Sequence, residues 1–340
     1  MRPASAPVTA GARRLPGRAA PLLLALAVLA AGSFAFALYA GTVPIAWREL
    51  LAVLAGHQQG LAREVVFKLR LPRAAAGFAT GGLLALAGAL MQVLVRNPLA
   101  DPYVLGVSGG AASGALGAMV LGLAGAWVAG GAFAGALAST FLVFGLAHGR
   151  GSWSPTRLLL TGVVVAAGWG ALVSFLLAVG PQSGLRGMLF WLMGDLSGAG
   201  SPLPGLILLG AGLVLAVMLG RQLNVLAHGD MPAAALGVPV SGLRTAIYLL
   251  ASLLTSVAVT LAGSVGFVGL VVPHMVRLLG LRDHRLLLPA SVLLGGTLLV
   301  VADTLARTAF APRQLPVGVL TAAIGVPMFL YLLARERAAT

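Results

Sequence analysis

Residues 73–95 read RAAAGFATGGLLALAGALMQVLV, with no charged side chain after Arg73. A helix needs about 20 apolar residues to cross a hydrocarbon core roughly 30 Å thick, so this stretch predicts a membrane-spanning helix. Similar stretches recur along nearly the whole chain, separated by charged or Pro- and Gly-rich breaks. They predict ten spans, at about residues 19–40, 73–95, 103–122, 124–146, 157–180, 202–220, 244–264, 266–280, 286–306 and 316–334.

The composition of the 340 residues agrees with a lipid environment. Hydrophobic residues make up 59% of the chain and charged residues 9%, with a mean hydropathy of +1.01. Ordinary soluble domains carry about 25% charged residues. We therefore predict an all-α integral membrane protein with about ten transmembrane helices. Residues 1–18 are expected to be a disordered N-terminus, and residues 19–335 a single transmembrane domain. The apolar run 19–40 is too long for a signal-peptide core, so we interpret it as the first span of that domain.

The distribution of basic residues predicts the orientation of the chain. The net charge is +14, but basic residues lie between apolar runs and not along one face, which argues against a nucleic-acid partner. Lys and Arg are enriched on the cytoplasmic side of membrane proteins. With both termini cytoplasmic, fourteen of the 22 basic residues lie inside and eight outside, so this topology is favoured. It leaves an unexpected basic cluster outside, where the eight residues are Arg48, Arg63, Lys68, Arg70, Arg73, Arg186, Arg307 and Arg313.

Several kinds of chemistry are excluded by residues that the sequence lacks. There is no cysteine, which rules out disulfides, thiolate metal sites and cysteine nucleophiles. The only lysine, Lys68, precedes Leu69, so the chain contains no Gly-Lys-Ser/Thr phosphate loop and cannot itself be a P-loop ATPase. We expect this chain to bind no cofactor or metal of its own.

Two motif blocks carry a family resemblance. The first runs from Arg-Leu-Pro-Arg at 70–73 to Arg-Asn-Pro-Leu-Ala-Asp-Pro-Tyr-Val-Leu-Gly at 96–106. The second comprises Gly-Phe-Val-Gly-Leu-Val-Val-Pro-His-Met-Val-Arg at 266–277, the segment 303–307 and Leu-Pro-Val-Gly-Val at 315–319. Together they resemble the permease family of ATP-binding-cassette importers for iron-siderophores, haem and cobalamin, in order over about residues 65–335.

The resemblance implies an architecture and a set of partners. It implies a BtuC-like type II importer permease fold in the bacterial inner membrane, working by alternating access at a homodimer interface. The implied partners are a second copy of the chain, two ATPase subunits that bind ATP and Mg, a periplasmic substrate-binding protein, a metal-chelate substrate and membrane lipid. An iron-siderophore or haem is the favoured substrate, and cobalamin the alternative.

The resemblance also assigns roles to residues at the outer side. Arg70, Arg73 and Arg307 lie at outer span ends, where a guanidinium group can reach the interface and present a fork to a carboxylate. Ordinary interfacial anchoring would explain such arginines without a partner. In the resembled family, matching arginines receive acidic residues of the binding protein, so the resemblance predicts a docking role.

Two further groups of residues are predicted on the cytoplasmic side. Asn97 and Leu99 lie in a segment that Pro98 and Pro102 keep from being regular helix, and the resemblance implies that they form the cytoplasmic gate. The longest inside connection, 221–243, resembles the ATPase-coupling loop, although a solvated loop would look similar. There Asp230 is expected to cap a short helix that ends at Gly237. The predicted coupling residues are Leu223, Asn224, Leu226, Gly229, Asp230, Ala234, Leu236 and Gly237.

Two other classes of function remain as alternatives. An ion-coupled secondary transporter commonly needs a carboxylate at membrane depth, and only Asp303 is placed there. An intramembrane serine hydrolase could use Ser108, which lies in a Gly-Val-Ser-Gly-Gly pattern, with His274 as its base. That pattern requires a strand before the serine, whereas here it lies in a Gly-rich apolar stretch.

Overall fold

The computed structural model describes residues 16–147 and 155–337 and contains helices but no β-strand over those ranges. The predicted disordered N-terminus lies largely outside them, since the first helix begins at Pro16. In chain order the helices are α1 Pro16–Tyr39, α2 Trp47–Leu54, α3 Leu61–Glu64, α4 Leu71–Val95, α5 Val107–Val120, α6 Ala126–Ala147, α7 Pro155–Val179, α8 Leu185–Leu192, α9 Leu203–Met218, α10 Gly220–Leu226, α11 Asp230–Ala235, α12 Val240–Ala262, α13 Val268–Leu278, α14 His284–Thr308 and α15 Val317–Arg337.

The apolar helices match the predicted spans one to one. Within the described residues, six helical segments are long and apolar enough to cross a membrane, and α9 with α10 adds a seventh candidate that is bent by 61°. The shorter apolar helices α5, α13 and α15 overlap the three remaining predicted spans. The all-helical class is therefore confirmed, and ten complete crossings stay a prediction.

Helix α4 forms the centre of the bundle. It is apolar around its whole circumference, as expected for a helix enclosed by other helices, and nearly every residue from Ala76 to Val95 is buried. It packs against α12, α13 and α14. The contacts are backbone to backbone at two glycines, because a Cβ on Gly81 would overlap the carbonyl oxygen of Gly295 and one on Gly88 would overlap that of Gly269.

The second span begins earlier than predicted. The helix that contains α4 is continuous from Leu61, not from residue 73, through a wider π-helical segment at Val65–Arg70. Pro72 has no backbone N–H, and its ring would clash with the carbonyl group four residues earlier in an ordinary α-helix. In the π-helical segment the N–H of Leu71 reaches the carbonyl oxygen of Val66, five residues earlier. The wider turn allows the helix to continue past Pro72.

Helices α2 and α3 cover one end of the bundle. Their buried residues form a small apolar cluster with the end of α1, separate from the main core. Its members are Leu38, Ile45, Leu50, Val53, Ala62, Val65 and Val66. This cluster holds the end of α1 beside the π-helical segment, and so beside Arg70.

Candidate functional sites at the two ends of the bundle

We call the end of the bundle that holds the C-terminus of α1 the Arg73 end. Two predicted docking arginines bind that C-terminus. Arg70 Nη1 donates to the carbonyl oxygens of Leu38 (2.6 Å) and Tyr39 (2.8 Å), and Arg70 Nη2 donates to that of Val43. Arg307 Nη2 donates to the carbonyl oxygen of Ala37. The last carbonyl groups of a helix lack partners within it and attract positive charge, so both side chains stabilise the end of α1.

The third docking arginine makes a buried ion pair. Arg73 Nε lies 2.8 Å from Asp303 Oδ2, and Arg73 Nη2 lies 2.8 Å from Asp303 Oδ1. Arg73 Nη1 also donates to Gln314 Oε1 at 3.1 Å. The side chains of Arg73 and Asp303 are only 16% and 5% exposed. Because both carboxylate oxygens already face a guanidinium group, Asp303 has the counter-charge that a transported cation would otherwise supply.

The three arginines line one cavity of about 440 Å³ at the Arg73 end. Lys68, Ser197 and Gln314 also line it. The structure thus brings together residues that are far apart in the sequence, as their predicted common role requires. Their contact with a binding protein stays a prediction, and any carboxylate that enters must share guanidinium groups that already have intramolecular partners.

The opposite end, which we call the Asp230 end, holds the predicted coupling residues. Asp230 Oδ1 accepts a hydrogen bond from Arg244 Nη2 at 2.8 Å, and Asp230 Oδ2 lies 3.9 Å from Arg96 Nη2. The prediction that Asp230 caps α11 is wrong: Asp230 is the first helical residue, Gly229 precedes it, and no side chain caps the helix. The carboxylate is drawn away from the helix N-terminus by two guanidinium groups. Gly237 has a φ of +77° just beyond α11, in agreement with its predicted role.

Asn224 is used inside the protein. Its Nδ2 donates to Asp283 Oδ1 (2.8 Å), and its Oδ1 accepts from the backbone N–H of His284 (2.9 Å). Asp283 in turn caps α14 by accepting from the backbone N–H of Arg285. Hydrogen bonds from the side chains of Arg285 and Asn224 hold the pKa of Asp283 well below its usual range. Asn224 therefore ties α10 to the first turn of α14.

Six of the eight predicted coupling residues are either buried or exposed, and Asn224 and Asp230 are half-buried. Leu223, Leu226 and Gly229 are buried and pack α10 and the following turn onto the bundle. Ala234, Leu236 and Gly237 are exposed on α11 and the turn after it. Leu236 is 71% exposed and its neighbour Met231 is 83% exposed. A short helix at the end of the bundle therefore presents apolar side chains that no described residue covers.

The predicted gate residues lie in a turn beside this helix. Arg96 ends α4 with a φ of +54°, and residues 97–101 are not helical, as predicted. Asn97 Oδ1 accepts a hydrogen bond from the backbone N–H of Leu99 at 2.9 Å, which closes the turn. Both side chains are exposed, Leu99 by 37%.

The geometry around Ser108 does not support a hydrolase. Ser108 Oγ lies 2.8 Å from Ser264 Oγ, so its hydroxyl group pairs with a second serine. Ser108 is the second residue of helix α5, which follows a 3-10 turn at Pro102–Leu105, and the described residues contain no strand to build a nucleophile elbow. His274 is buried within α13.

Comparison with known families agrees with this arrangement. The model of the FecCD transport family matches residues 26–335. The chain belongs to the FecCD transport family. A solved structure described as an inward-facing conformation of a metal-chelate type ABC transporter superposes with a TM-score of 0.81 at 29% identity, covering 93% of this chain and 99% of that one.

Similar FecCD family relatives carry names that refer to two substrates. The cobalamin import system permease protein BtuC of Halobacterium salinarum is 45% identical over 81% of this chain and 74% of its own length. The Fe(3+) dicitrate transport system permease protein FecD of Escherichia coli is 41% identical over 93% of this chain and 99% of its own length. The vitamin B12 import system permease protein BtuC of Klebsiella pneumoniae is 40% identical over 80% and 83%.

Sequence reasoning missed the partners of the functional side chains. Arg73 and Asp303 are 230 residues apart, and Asn224 and Asp283 are 59 apart. One signal was available for the first pair: a single acidic residue at membrane depth needs a counter-charge, and an arginine near the same outer end was the natural candidate. No comparable signal pointed to Asp283 or to Ser264.

Proposed function

We propose that this FecCD family member is the transmembrane permease subunit of an ATP-binding-cassette importer and moves a metal chelate across the plasma membrane. The observation that carries the proposal is the uncovered apolar surface of α11 at the Asp230 end of a membrane bundle. The chain has no phosphate loop of its own, so the ATPase must be a separate subunit. The names of its relatives agree with this division of labour.

The exposed surface of α11 and the turn after it is the proposed ATPase contact. Met231, Ala234, Leu236 and Gly237 would be covered by a groove of the ATPase subunit, as apolar helix faces are in helix-in-groove complexes. The other predicted coupling residues would transmit movement of the ATPase subunit to the bundle, because they fasten α10 and α11 to it. They are Leu223, Asn224, Leu226, Gly229 and Asp230. ATP and Mg bind to the partner, and this chain supplies no catalytic group.

Transport itself requires a path that opens to one side at a time. We place the path between two copies of the chain, with Asn97 and Leu99 from each copy closing its cytoplasmic end. Both side chains are exposed in the single chain, which leaves them free to meet a second copy. Closure of the ATPase subunits would move α11 and shift the helices between two packings. Both termini and the Asp230 end would be cytoplasmic.

The Arg73 end would face the periplasm and receive the binding protein. Its cavity is lined by four basic side chains, which suits a carboxylate from an acidic surface. For the cargo we propose a metal chelate, since relatives are named for cobalamin and for Fe(3+) dicitrate. We favour an iron chelate and retain cobalamin as the alternative.

The proposal is tested by assembly and uptake with the ATPase partner. The purified chain alone should hydrolyse no ATP, and the reconstituted complex should take up substrate only with ATP. Leu236→Asp should abolish co-purification of the ATPase, because a charge would have to be desolvated in the contact. Leu61→Asp is the matched control, since Leu61 is 72% exposed at the other end of the bundle. Uptake driven by an ion gradient without nucleotide would contradict the proposal.

A further inference from the structure

The side chain of Arg96, the residue that follows α4, links the end of that helix to the start of α11. Arg96 Nη2 lies 3.9 Å from Asp230 Oδ2 at the start of α11. Arg96 also directly precedes Asn97, so it belongs to the gate turn. Asp230 is held from its other side by Arg244 at 2.8 Å, and Arg244 is 5% exposed.

The backbone of Arg96 is strained in a way that its side chain explains. The N–H of Arg96 bonds to the carbonyl oxygen of Val93 and that of Asn97 to the carbonyl oxygen of Gln92, both at 3.2 Å. These two bonds form the helix end that normally has glycine in the left-handed position. Here Arg96 adopts a φ of +54° at that position, a conformation that costs free energy in a residue that has a Cβ atom.

The guanidinium group of Arg96 lies against the turn that precedes α11. Gly229 is buried and has a φ of +123°, and a Cβ at that position would lie 3.5 Å from Arg96 Nη1. The guanidinium group therefore lies over the glycine turn while it faces the Asp230 carboxylate. The side chains of Arg96 and Asp230 are 42% and 37% exposed, so solvent weakens the pair and it can form and break at low cost.

We infer that Arg96 is a positioning residue that transmits movement of α11 to the gate turn at Asn97 and Leu99, with Asp230 as its moving partner. The inference rests on the proposed function. When α11 moves under the ATPase, Asp230 moves with it and pulls or releases the guanidinium group. The backbone at Arg96 then shifts, and Asn97 and Leu99 follow, since they are the next residues of the same turn. Allosteric coupling of this kind requires a measurable free energy between the two sites.

The test uses the absence of cysteine to read the gate directly. A single cysteine is introduced as Leu99→Cys, and its labelling rate by a maleimide is measured in the complex with the ATPase, with and without ATP. Arg96→Gly is then added. Glycine suits the left-handed position better, so thermal stability should be equal or higher, yet the guanidinium group is gone. Arg96→Lys retains the charge, and Arg282→Met removes another exposed arginine from the same end as a matched control.

The inference predicts a selective loss. The nucleotide-dependent change in labelling should shrink by up to about fivefold with Arg96→Gly while ATP hydrolysis continues, because a half-exposed ion pair contributes up to about 1 kcal/mol. Arg96→Lys and Arg282→Met should keep most of the change. A full nucleotide response in stable Arg96→Gly would overturn the inference. If ATP has no effect even with Arg96 intact and the ATPase does not co-purify, the proposed function itself is wrong.

Discussion

At the scale of single residues, the ion pair between Arg73 and Asp303 is the feature with the largest energetic consequence. A carboxylate inside a membrane bundle is expensive unless a cation faces it. Asp303 meets this requirement through two 2.8 Å contacts with one guanidinium group. The same contacts remove the main argument for an ion-coupled transporter, since the one acidic residue placed at membrane depth is already neutralised.

Breaking this pair from one side should destabilise the protein strongly. Asp303→Asn leaves the partly buried Arg73 guanidinium group without its ion-pair partner, and Arg73→Gln leaves the buried Asp303 carboxylate without its partner. Arg73→Gln should lower the free energy of unfolding by about 3–5 kcal/mol, and Asp303→Asn by less, because the Arg73 side chain keeps some access to water. The double variant should recover part of that loss, because it buries two neutral groups that can still hydrogen bond. Thermal unfolding in detergent measures the three effects, and simple additivity of the single losses would show that the pair is not coupled.

At the scale of helices, glycine determines how closely α5 and α6 approach. A Cβ on Gly114 would overlap the carbonyl oxygen of Gly131, and one on Gly135 would overlap that of Gly110. Association of helices in lipid depends on such close packing, since apolar contact alone gains little over contact with lipid tails. At these positions of α5 and α6, glycine is therefore required by the close contact between the two helices and not by the geometry of a turn.

Two alanine substitutions one turn apart on α5 should have opposite effects. Gly114→Ala forces the backbones of α5 and α6 apart and should cost about 1–3 kcal/mol, as overpacking does. Gly117→Ala meets nothing within 4 Å and should be neutral or stabilise the helix by up to about 1 kcal/mol. Melting temperatures of the two purified variants provide the comparison. Equal shifts would mean that α5 and α6 do not pack through Gly114.

At the scale of the whole molecule, charged residues divide into two groups at opposite ends. Arg70, Arg73 and Arg307 gather around the end of α1, and Arg96, Arg244 and Asp283 gather around α10 and α11. This division matches the two sides that the positive-inside rule assigned to these residues. It gives a direct test of orientation, since the chain has no cysteine of its own.

Single cysteines at the two ends should be labelled from opposite sides of the membrane. Leu236→Cys should react with an impermeant maleimide only in inside-out vesicles, and Lys68→Cys only from the periplasmic side. Both side chains are exposed in the single chain, by 71% and 71% respectively, so burial does not limit either reaction in vesicles that lack the ATPase. The unsubstituted chain provides the blank. Labelling of both positions from one side would contradict the proposed orientation.

The sequence by itself determined the helical class, the positions of the apolar helices and the family, because apolar run length and motif order are local properties of the chain. It also placed Asn97, Leu99 and α11 in non-spanning segments. Only the tertiary structure decided which charges meet. It paired Arg73 with Asp303, Arg70 and Arg307 with the end of α1, and Asp230 with Arg244 and Arg96. It also extended the second span back to Leu61. These contacts join residues far apart in the chain, and their energies depend on burial and distance, which exist only once the helices have packed.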